Sequence, residues 1–151
     1  MLFISHRGNL DGLNPERENT KGYVQEAIDK GFQVEIDIRV EDGSLFLGHD
    51  SPDCEIDLNW LCERSSSLWV HCKDFDSLSM LADKDLRIFF HEKERYSIIS
   101  NKLIWAHDLS NVDSKCIIPL LTEDQVMTWN PKPVFGICSD FVSICLEKFG
   151  E

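Results

Sequence analysis

The alternating stretch 34–40 constrains the fold of this chain more than any other feature of its sequence. Apolar residues occupy its even positions and charged residues its odd positions: Val34, Glu35, Ile36, Asp37, Ile38, Arg39 and Val40. A period of two is typical of a β-strand whose two faces lie in different environments. Glu35 and Asp37 therefore share one face, roughly 7 Å apart along the strand. Two neighbouring carboxylates need a counter-charge, which either Arg39 or a hard divalent cation can supply, and the strand taken alone favours an exposed ion pair with Arg39.

The length and charge of the chain limit its fold and its partners. The sequence has 151 residues, of which 42% are hydrophobic, so residues 1–151 are predicted to form a single domain around one core. The net charge of −12 disfavours binding to nucleic acid and to anionic membranes. No apolar run approaches the roughly 18 residues of a membrane span. No basic segment leads into an apolar one near Met1, so no secretory signal is expected either.

The cysteines indicate a reducing environment. The chain has six of them, and none forms a Cys-x-x-Cys pair, which argues against a zinc knuckle or a thioredoxin-type site. Cys72, Cys116 and Cys138 lie in apolar runs and are predicted to be buried, reduced thiols. We therefore expect a cytoplasmic protein.

Strand-like and helix-like segments alternate along the chain. An apolar run at 2–5, helical spacing at 20–30 and the strand at 34–40 predict a βαβ unit with a parallel strand pair. Further strands are expected at 44–48, 68–73, 86–90, 103–106, 116–120 and 134–138, and short helices at 58–62, 77–83, 94–100, 123–129 and 141–149. This pattern favours a parallel α/β sheet, either open or closed as a barrel.

Side chains that can do chemistry collect at or near the C-terminal ends of these predicted strands. They are His6, Glu35, Asp37, His49, His71, Lys73, His91, His107 and Asp140. Parallel α/β folds bind their ligands at that edge. A single histidine there is more often a structural residue, whereas all five histidines of the chain at one edge indicate a site.

Four ordered motifs within residues 4–50 resemble the glycerophosphodiester phosphodiesterase family. They are His6-Arg7-Gly8, Glu18-Asn19-Thr20, Glu35-Ile36-Asp37 and His49-Asp50. The segment 136–140 is similar to the closing strand of that family. The resemblance implies hydrolysis of a phosphodiester on a (β/α)8-type barrel. A full barrel takes about 250 residues, so the fold expected here is a reduced (β/α)8 TIM-barrel-like fold with shortened or missing helices.

The resemblance also implies roles for individual residues. His6 and His49 are expected to be the general base and the general acid, since imidazole has an ordinary pKa near neutrality. Arg7 is expected to hold phosphate oxygens through its planar guanidinium, together with Lys73.

The expected metal site differs from that of the family at one position. Glu35 and Asp37 are expected to bind Mg²⁺ or Ca²⁺, with Glu18 as a further acid near the ion. The family has Glu-x-Lys on its next strand, whereas this chain has His71-Cys72-Lys73. If His71 is the third ligand, its nitrogen favours Mn²⁺ or Zn²⁺, and the alternative is a protonated His71 that replaces the metal.

These observations leave three hypotheses about function. The first is a metal-dependent phosphoric diester hydrolase that acts on a small glycerophosphodiester-like molecule. The second is a catalytically inactive module that binds a phosphorylated metabolite or a protein. The third is a lyase or phospholipase-D-like reaction on the same scaffold. The presence of both His6 and His49 favours an enzyme, because phosphate binding alone needs no pair of proton carriers.

The predicted strands at 86–90 and 103–106 also have a consequence for assembly. Both segments are apolar enough for burial on two faces, yet the helices predicted between them are short. Because a parallel sheet needs both faces covered, we expect a homo-oligomer that associates through this thin side.

Overall fold

The computed structural model describes residues 1–150, and strands dominate it. The strands are β1 (Leu2–His6), β2 (Gln33–Glu41), β3 (Ser44–Leu47), β4 (Cys54–Ile56), β5 (Leu68–Cys72), β6 (Ile88–Phe89), β7 (Tyr96–Ile98), β8 (Ile104–Ala106), β9 (Cys116–Pro119) and β10 (Gly136–Ser139). The helices within residues 1–150 are α1 (Lys21–Asp29), α2 (Leu58–Glu63), α3 (Phe75–Leu81), α4 (Glu123–Thr128) and α5 (Val142–Phe149). All of these helices are short, from 6 to 9 residues.

The strands form one mixed sheet that curls into a half-barrel. Eight strands follow the order β4-β3-β2-β1-β10-β9-β8-β7, and β5 and β6 join the sheet through β2. The strand pairs β1–β2, β1–β10, β9–β10, β8–β9, β2–β5 and β5–β6 are parallel. The pairs β2–β3, β3–β4 and β7–β8 are antiparallel.

This topology shows that the prediction of a reduced (β/α)8 TIM-barrel-like fold is wrong. Such a barrel alternates every strand with a helix. Here β2, β3 and β4 form consecutive antiparallel pairs, and among the described residues no helix separates β6, β7 and β8. The segment 94–100, predicted as a helix, contains β7 instead. Its burial alternates, with Tyr96 and Ile98 exposed and Ser97 and Ile99 buried, which is the strand period.

The predicted βαβ unit at the start of the chain is confirmed. Helix α1 begins after Thr20, whose hydroxyl accepts a hydrogen bond from the backbone N–H of Tyr23 (3.3 Å). Strands β1 and β2 pair in parallel, with His6 opposite Glu35. Strand β5 pairs in parallel with the other edge of β2, so that His71 lies opposite Asp37. The register of these three strands therefore brings four chemically active side chains to one edge.

The alternation in β2 directs its apolar even-numbered residues to one face of the sheet and its charged residues Glu35 and Asp37 to the other. Val34, Ile36 and Ile38 are fully buried in the large apolar cluster that includes Val24 and Ala27 of α1. A second cluster, here called the inner cluster, lines the concave side of the sheet. It is made of Ile4, Trp69, Phe89, Ile99, Trp105, Ile117 and Cys138, from six strands and one connection. The odd residues of β2 lie on this concave side and contact groups from β1 and β5.

All six cysteines are free, and Cys72, Cys116 and Cys138 are buried, as predicted. Among residues 1–150, the longest helices are too short and too polar to cross a membrane.

Candidate functional site

A buried group of charged side chains lies at the C-terminal ends of the parallel strands, above the inner cluster. We call it the polar cluster, and it consists of His6, Arg7, Glu18, Glu35, Asp37, His71, Lys73 and Asp140. Glu35 and Asp37 are 2% and 0% exposed, so the expectation of an exposed strand face is wrong. Arg39 is not their partner, since its guanidinium donates to the carbonyl oxygen of His49 (3.1 Å).

Asp37 is at the centre of the polar cluster. Arg7 Nε lies 2.9 Å from its Oδ2, His71 Nδ1 3.2 Å from its Oδ1, and Lys73 Nζ 3.9 Å from Oδ1. Asn19 Nδ2 donates to Oδ2 (2.9 Å). Burial by itself raises the pKa of Asp37, but the contacts with His71, Arg7 and Asn19 outweigh it and hold that pKa far below its usual range. Asp37 is therefore a carboxylate at neutral pH.

Two strained backbone positions bring Arg7 and Asn19 to Asp37. Both residues have left-handed backbones, with φ of 57° and 54°. Their backbones are joined by a hydrogen bond from Asn19 N–H to the Arg7 carbonyl (3.1 Å), and Asp37 N–H donates to Asn19 Oδ1 (3.0 Å). Gly8 also has a positive φ, and a Cβ there would lie 2.8 Å from the Tyr23 ring. These contacts explain why Arg-Gly and Asn occur in the two motifs. The role of Asn19 was missed, although Glu18-Asn19-Thr20 is the sequence signal for it.

His6 is held in one orientation by Asp140. Its Nδ1 lies 2.7 Å from Asp140 Oδ1, and its Nε2 lies 3.8 Å from Glu35 Oε2. Burial lowers the pKa of His6, but Asp140 and Glu35 outweigh burial and raise it above its usual value. Asn9 Nδ2 donates to both Asp140 (2.7 Å) and Glu18 (2.8 Å), which connects the two acids. The orienting role of Asp140 and the bridging role of Asn9 were not predicted.

Glu35, Asp37 and His71 form a buried group that can hold a metal ion. Each offers one ligand atom, and these atoms lie within 4.8 Å of one another. Glu35 Oε2 and Asp37 Oδ1 make no hydrogen bond within residues 1–150, and His71 Nδ1 is the nitrogen that faces both carboxylates, 3.7 Å from Glu35 Oε1 and 3.2 Å from Asp37 Oδ1. Two carboxylates with one imidazole suit a divalent ion, so the residues fit a metal.

The charges of the polar cluster can be balanced in two ways. The cluster contains four carboxyl groups and two permanent cations: Glu18, Glu35, Asp37, Asp140, Arg7 and Lys73. Protonation of His6 and His71 supplies the missing positive charge. Burial lowers the pKa of His71, but Asp37 and Glu35 raise it above the ordinary value. A divalent cation supplies the same charge and displaces the proton from its histidine ligand.

The structure brings together seven of the eight predicted site residues. These are His6, Arg7, Glu18, Glu35, Asp37, His71 and Lys73. His49 is different, because its side chain is 38% exposed and its Nδ1 pairs with Asp50 (2.8 Å). In the part of the chain that the structure describes, its imidazole makes no ion pair with the polar cluster. Its backbone is close to the site, since Gly48 N–H donates to the Asp37 carbonyl (3.1 Å).

A threefold aromatic-x-His pattern adds two more histidines beside the polar cluster. The three pairs lie at the C-terminal ends of β5, β6 and β8, and they are Trp69 with His71, Phe89 with His91, and Trp105 with His107. The His91 ring stacks on His71 with centroids 4.2 Å apart. Burial, with nearby His71, His107 and Lys73, lowers the pKa of His91 to about 4. Sequence reasoning placed these histidines at strand ends but missed the repeat that aligns them.

The comparisons with known proteins do not place the chain in a family. The four motifs therefore remain a resemblance to the glycerophosphodiester phosphodiesterases, and the site geometry is a separate line of observation. No protein-family model, no curated protein and no solved structure matches this chain.

Proposed function

We propose that this protein is a metal-dependent phosphodiesterase that hydrolyses a small, soluble glycerophosphodiester-like molecule. The observation that carries the proposal is the convergence of a buried carboxylate pair, an oriented imidazole and two cations at one sheet edge. The net charge of −12 disfavours a membrane lipid as the substrate. Six free cysteines support a cytoplasmic location.

Glu35, Asp37 and His71 are the residues that would hold the cation. The imidazole nitrogen favours Mn²⁺ or Zn²⁺ over Mg²⁺ or Ca²⁺, which prefer oxygen ligands. When bound, the ion supplies Lewis-acid polarisation of a phosphoryl oxygen.

Arg7 and Lys73 are suited to bind the phosphate group. Their side chains are 18% and 15% exposed, so they lie at the boundary between the buried cluster and solvent. Arg7 already contacts Glu18 (3.3 Å) and Asp37 (2.9 Å), which fixes the plane of its guanidinium. A fixed guanidinium loses little entropy when it binds two phosphate oxygens. Positive charge here also offsets the negative field of the whole protein.

His6 and His49 share the proton transfers in this proposal. Asp140 accepts the Nδ1 proton of His6, which leaves Nε2 to exchange a proton with the substrate. The raised pKa of His6 favours its protonated form near neutrality and supports the acid role, protonating the departing alkoxide. His49, which is partly exposed, is then the base that removes a proton from the attacking hydroxyl of the substrate. This attack releases the alcohol and leaves a cyclic phosphodiester, which water opens in a second step to complete the hydrolysis.

The test is a screen of metal ions against glycerophosphodiesters on purified protein. Turnover is measured as release of the free alcohol with Mg²⁺, Ca²⁺, Mn²⁺ or Zn²⁺, and with a chelator. Replacing His6 with Ala is expected to reduce the rate by about 10²–10⁴-fold. Lys84→Ala, a change at an exposed ion pair with Asp83, is the control and keeps the wild-type rate. Turnover in His6→Ala at the rate of this control would reject the assignment.

A second candidate function is a phosphate-binding module that uses no metal. It is favoured by one observation, that Arg7, His71 and Lys73 all lie within 4 Å of the Asp37 carboxylate. Together with protonated His6, these three cations already neutralise the four acids of the cluster. Calorimetry with glycerol phosphate in the presence of a chelator separates the candidates, because the module binds the ligand there without turning over any diester.

A further inference from the structure

His91 and His107 form a close imidazole pair next to the polar cluster. Their Nε2 atoms lie 3.1 Å apart, and their ring centroids lie 4.4 Å apart at 70°. The pair lies beside an open groove of about 590 Å³, whose lining includes Glu92, Glu94 and Asp108. None of the roles argued above uses either histidine, so the pair needs an explanation of its own.

Two features of the fold hold the imidazole rings of His91 and His107 in place. Phe89 and Trp105 stack in the inner cluster with centroids 4.6 Å apart. Since residues two apart on a strand share a face, this stacked pair sets the spacing of the next layer, which is His91 and His107. The His107 N–H also donates to the Arg95 carbonyl (2.9 Å), which fixes the start of the following loop.

The separation of the two nitrogens is that of two ligands on one ion. Zinc holds imidazole nitrogens at about 2.0–2.1 Å in a tetrahedral arrangement, which sets two nitrogens about 3.3 Å apart. The observed 3.1 Å is close to this value before any ion enters. A hydrogen bond between two neutral imidazoles also needs such a separation, and it is the alternative that the experiment must exclude.

Two of the three acids that line the groove, Glu94 and Asp108, are committed to other contacts. Glu94 Oε2 accepts from the backbone N–H groups of Glu92 (2.7 Å) and Lys93 (3.0 Å). Asp108 accepts from Ser110 and contacts Arg95 (3.3 Å). The protein therefore supplies two nitrogen ligands, and water or a small ligand from the groove completes the coordination. Such nitrogen-rich sites select Zn²⁺, Ni²⁺ or Cu²⁺ over Mg²⁺ and Ca²⁺.

We propose that His91 and His107 form a transition-metal site, separate from the group of Glu35, Asp37 and His71. This site binds Zn²⁺ through the two Nε2 atoms and leaves open positions toward the groove. Its existence does not depend on the phosphodiesterase activity, because its ligands lie on different strand ends and take no part in the proposed chemistry.

The test is calorimetric titration of the full chain with ZnCl₂ in an excess of Mg²⁺. Wild-type protein is expected to bind Zn²⁺, and His91→Ala and His107→Ala are each expected to weaken one binding site by roughly tenfold or more, since even outer partners of metal ligands contribute that much. Lys84→Ala changes an ion pair with Asp83 outside both metal-binding groups and is the control, expected to bind zinc as wild type. Zinc binding that is unchanged in the His91→Ala/His107→Ala double variant overturns the proposal.

A second measurement uses unaltered protein and so does not depend on how the variants fold. In nitrogen NMR spectra, zinc is expected to shift the Nε2 signals of His91 and His107 and to leave their Nδ1 atoms protonated, whether or not the His71 signals also shift. Saturating zinc that leaves the signals of His91 and His107 unchanged shows that the pair is only hydrogen-bonded and overturns the proposal.

Discussion

Replacing Asp37 with Asn tests the electrostatic account of the polar cluster most sharply. The side chain is 0% exposed, and its carboxylate faces Arg7, His71 and Lys73 within 4 Å. Removing one partner from a buried ion pair costs about 3–5 kcal/mol. The amide keeps an acceptor for Asn19, and His71 can release its proton, so we expect a loss of about 3 kcal/mol.

The assay is thermal unfolding in the presence of a chelator. A domain of this size loses about 2–4 °C of Tm per kcal/mol, which predicts a Tm lower by about 6–12 °C. Asp83→Asn is the matched control, because its carboxylate is 78% exposed and pairs with Lys84 (2.9 Å). We expect this control to melt at the wild-type temperature. If Asp37→Asn melts with its control, or above it, then the carboxylate does not stabilise the buried cations and the reasoning is refuted.

Three further predictions follow from the same structure. With a chelator present, Tm is expected to be highest near about pH 6.5. The raised pKa values of His6 and His71 contribute stability that is lost as the pH rises through those values. The lowered pKa of His91, about 4, costs stability as the pH falls below its unfolded value, and the lowered pKa of Asp37 adds a further loss in strong acid, so a Tm that rises steadily to pH 9 contradicts this. Burial raises the pKa of Cys72 to about 12, whereas Cys62 is exposed. In the native protein Cys62 is therefore expected to react with a thiol reagent far faster than Cys72, and equal rates for the two thiols would contradict the burial of Cys72. The expected homo-oligomer is checked by light scattering. Ile98 is 78% exposed on β7, which favours association at this strand, so Ile98→Lys should lower the measured mass. A wild-type protein that is monomeric would reject the expected homo-oligomer.

The positions of the polar side chains could be predicted from the sequence, because they depend on local periodicity. The alternation in 34–40 places Glu35 and Asp37 together whatever the strand pairs with. The βαβ rule then puts His6 beside them, and the structure has His6 opposite Glu35. Lys73 and His71 follow from the same period of two on the neighbouring strand.

The closure of the sheet could not be predicted in the same way. Whether a strand is followed by a helix or by a hairpin depends on long-range packing, and the segment around Tyr96 has no helix-sized apolar stripe of its own. The cationic partner of Asp37 could not be predicted from sequence distance, because Arg39 is close to Asp37 in the sequence and Arg7 is far from it. Only the left-handed backbone at Arg7 and Asn19 decides that Arg7 is the one in contact.

The central claim is that His71 completes a metal site with Glu35 and Asp37, and exchange of His71 for Glu tests it directly. Calorimetry of chelator-treated wild-type protein is expected to show one ion bound at these three residues, in addition to any zinc at His91 and His107, with a preference for Mn²⁺ or Zn²⁺. The rate of diester hydrolysis should rise with the occupancy of the three-residue site. His71→Glu is expected to shift the preference towards Mg²⁺ and Ca²⁺, because the third ligand becomes an oxygen. Wild-type protein that binds no divalent ion at these residues and keeps its activity in chelator would contradict the account, and a protonated His71 would then stand in place of the metal.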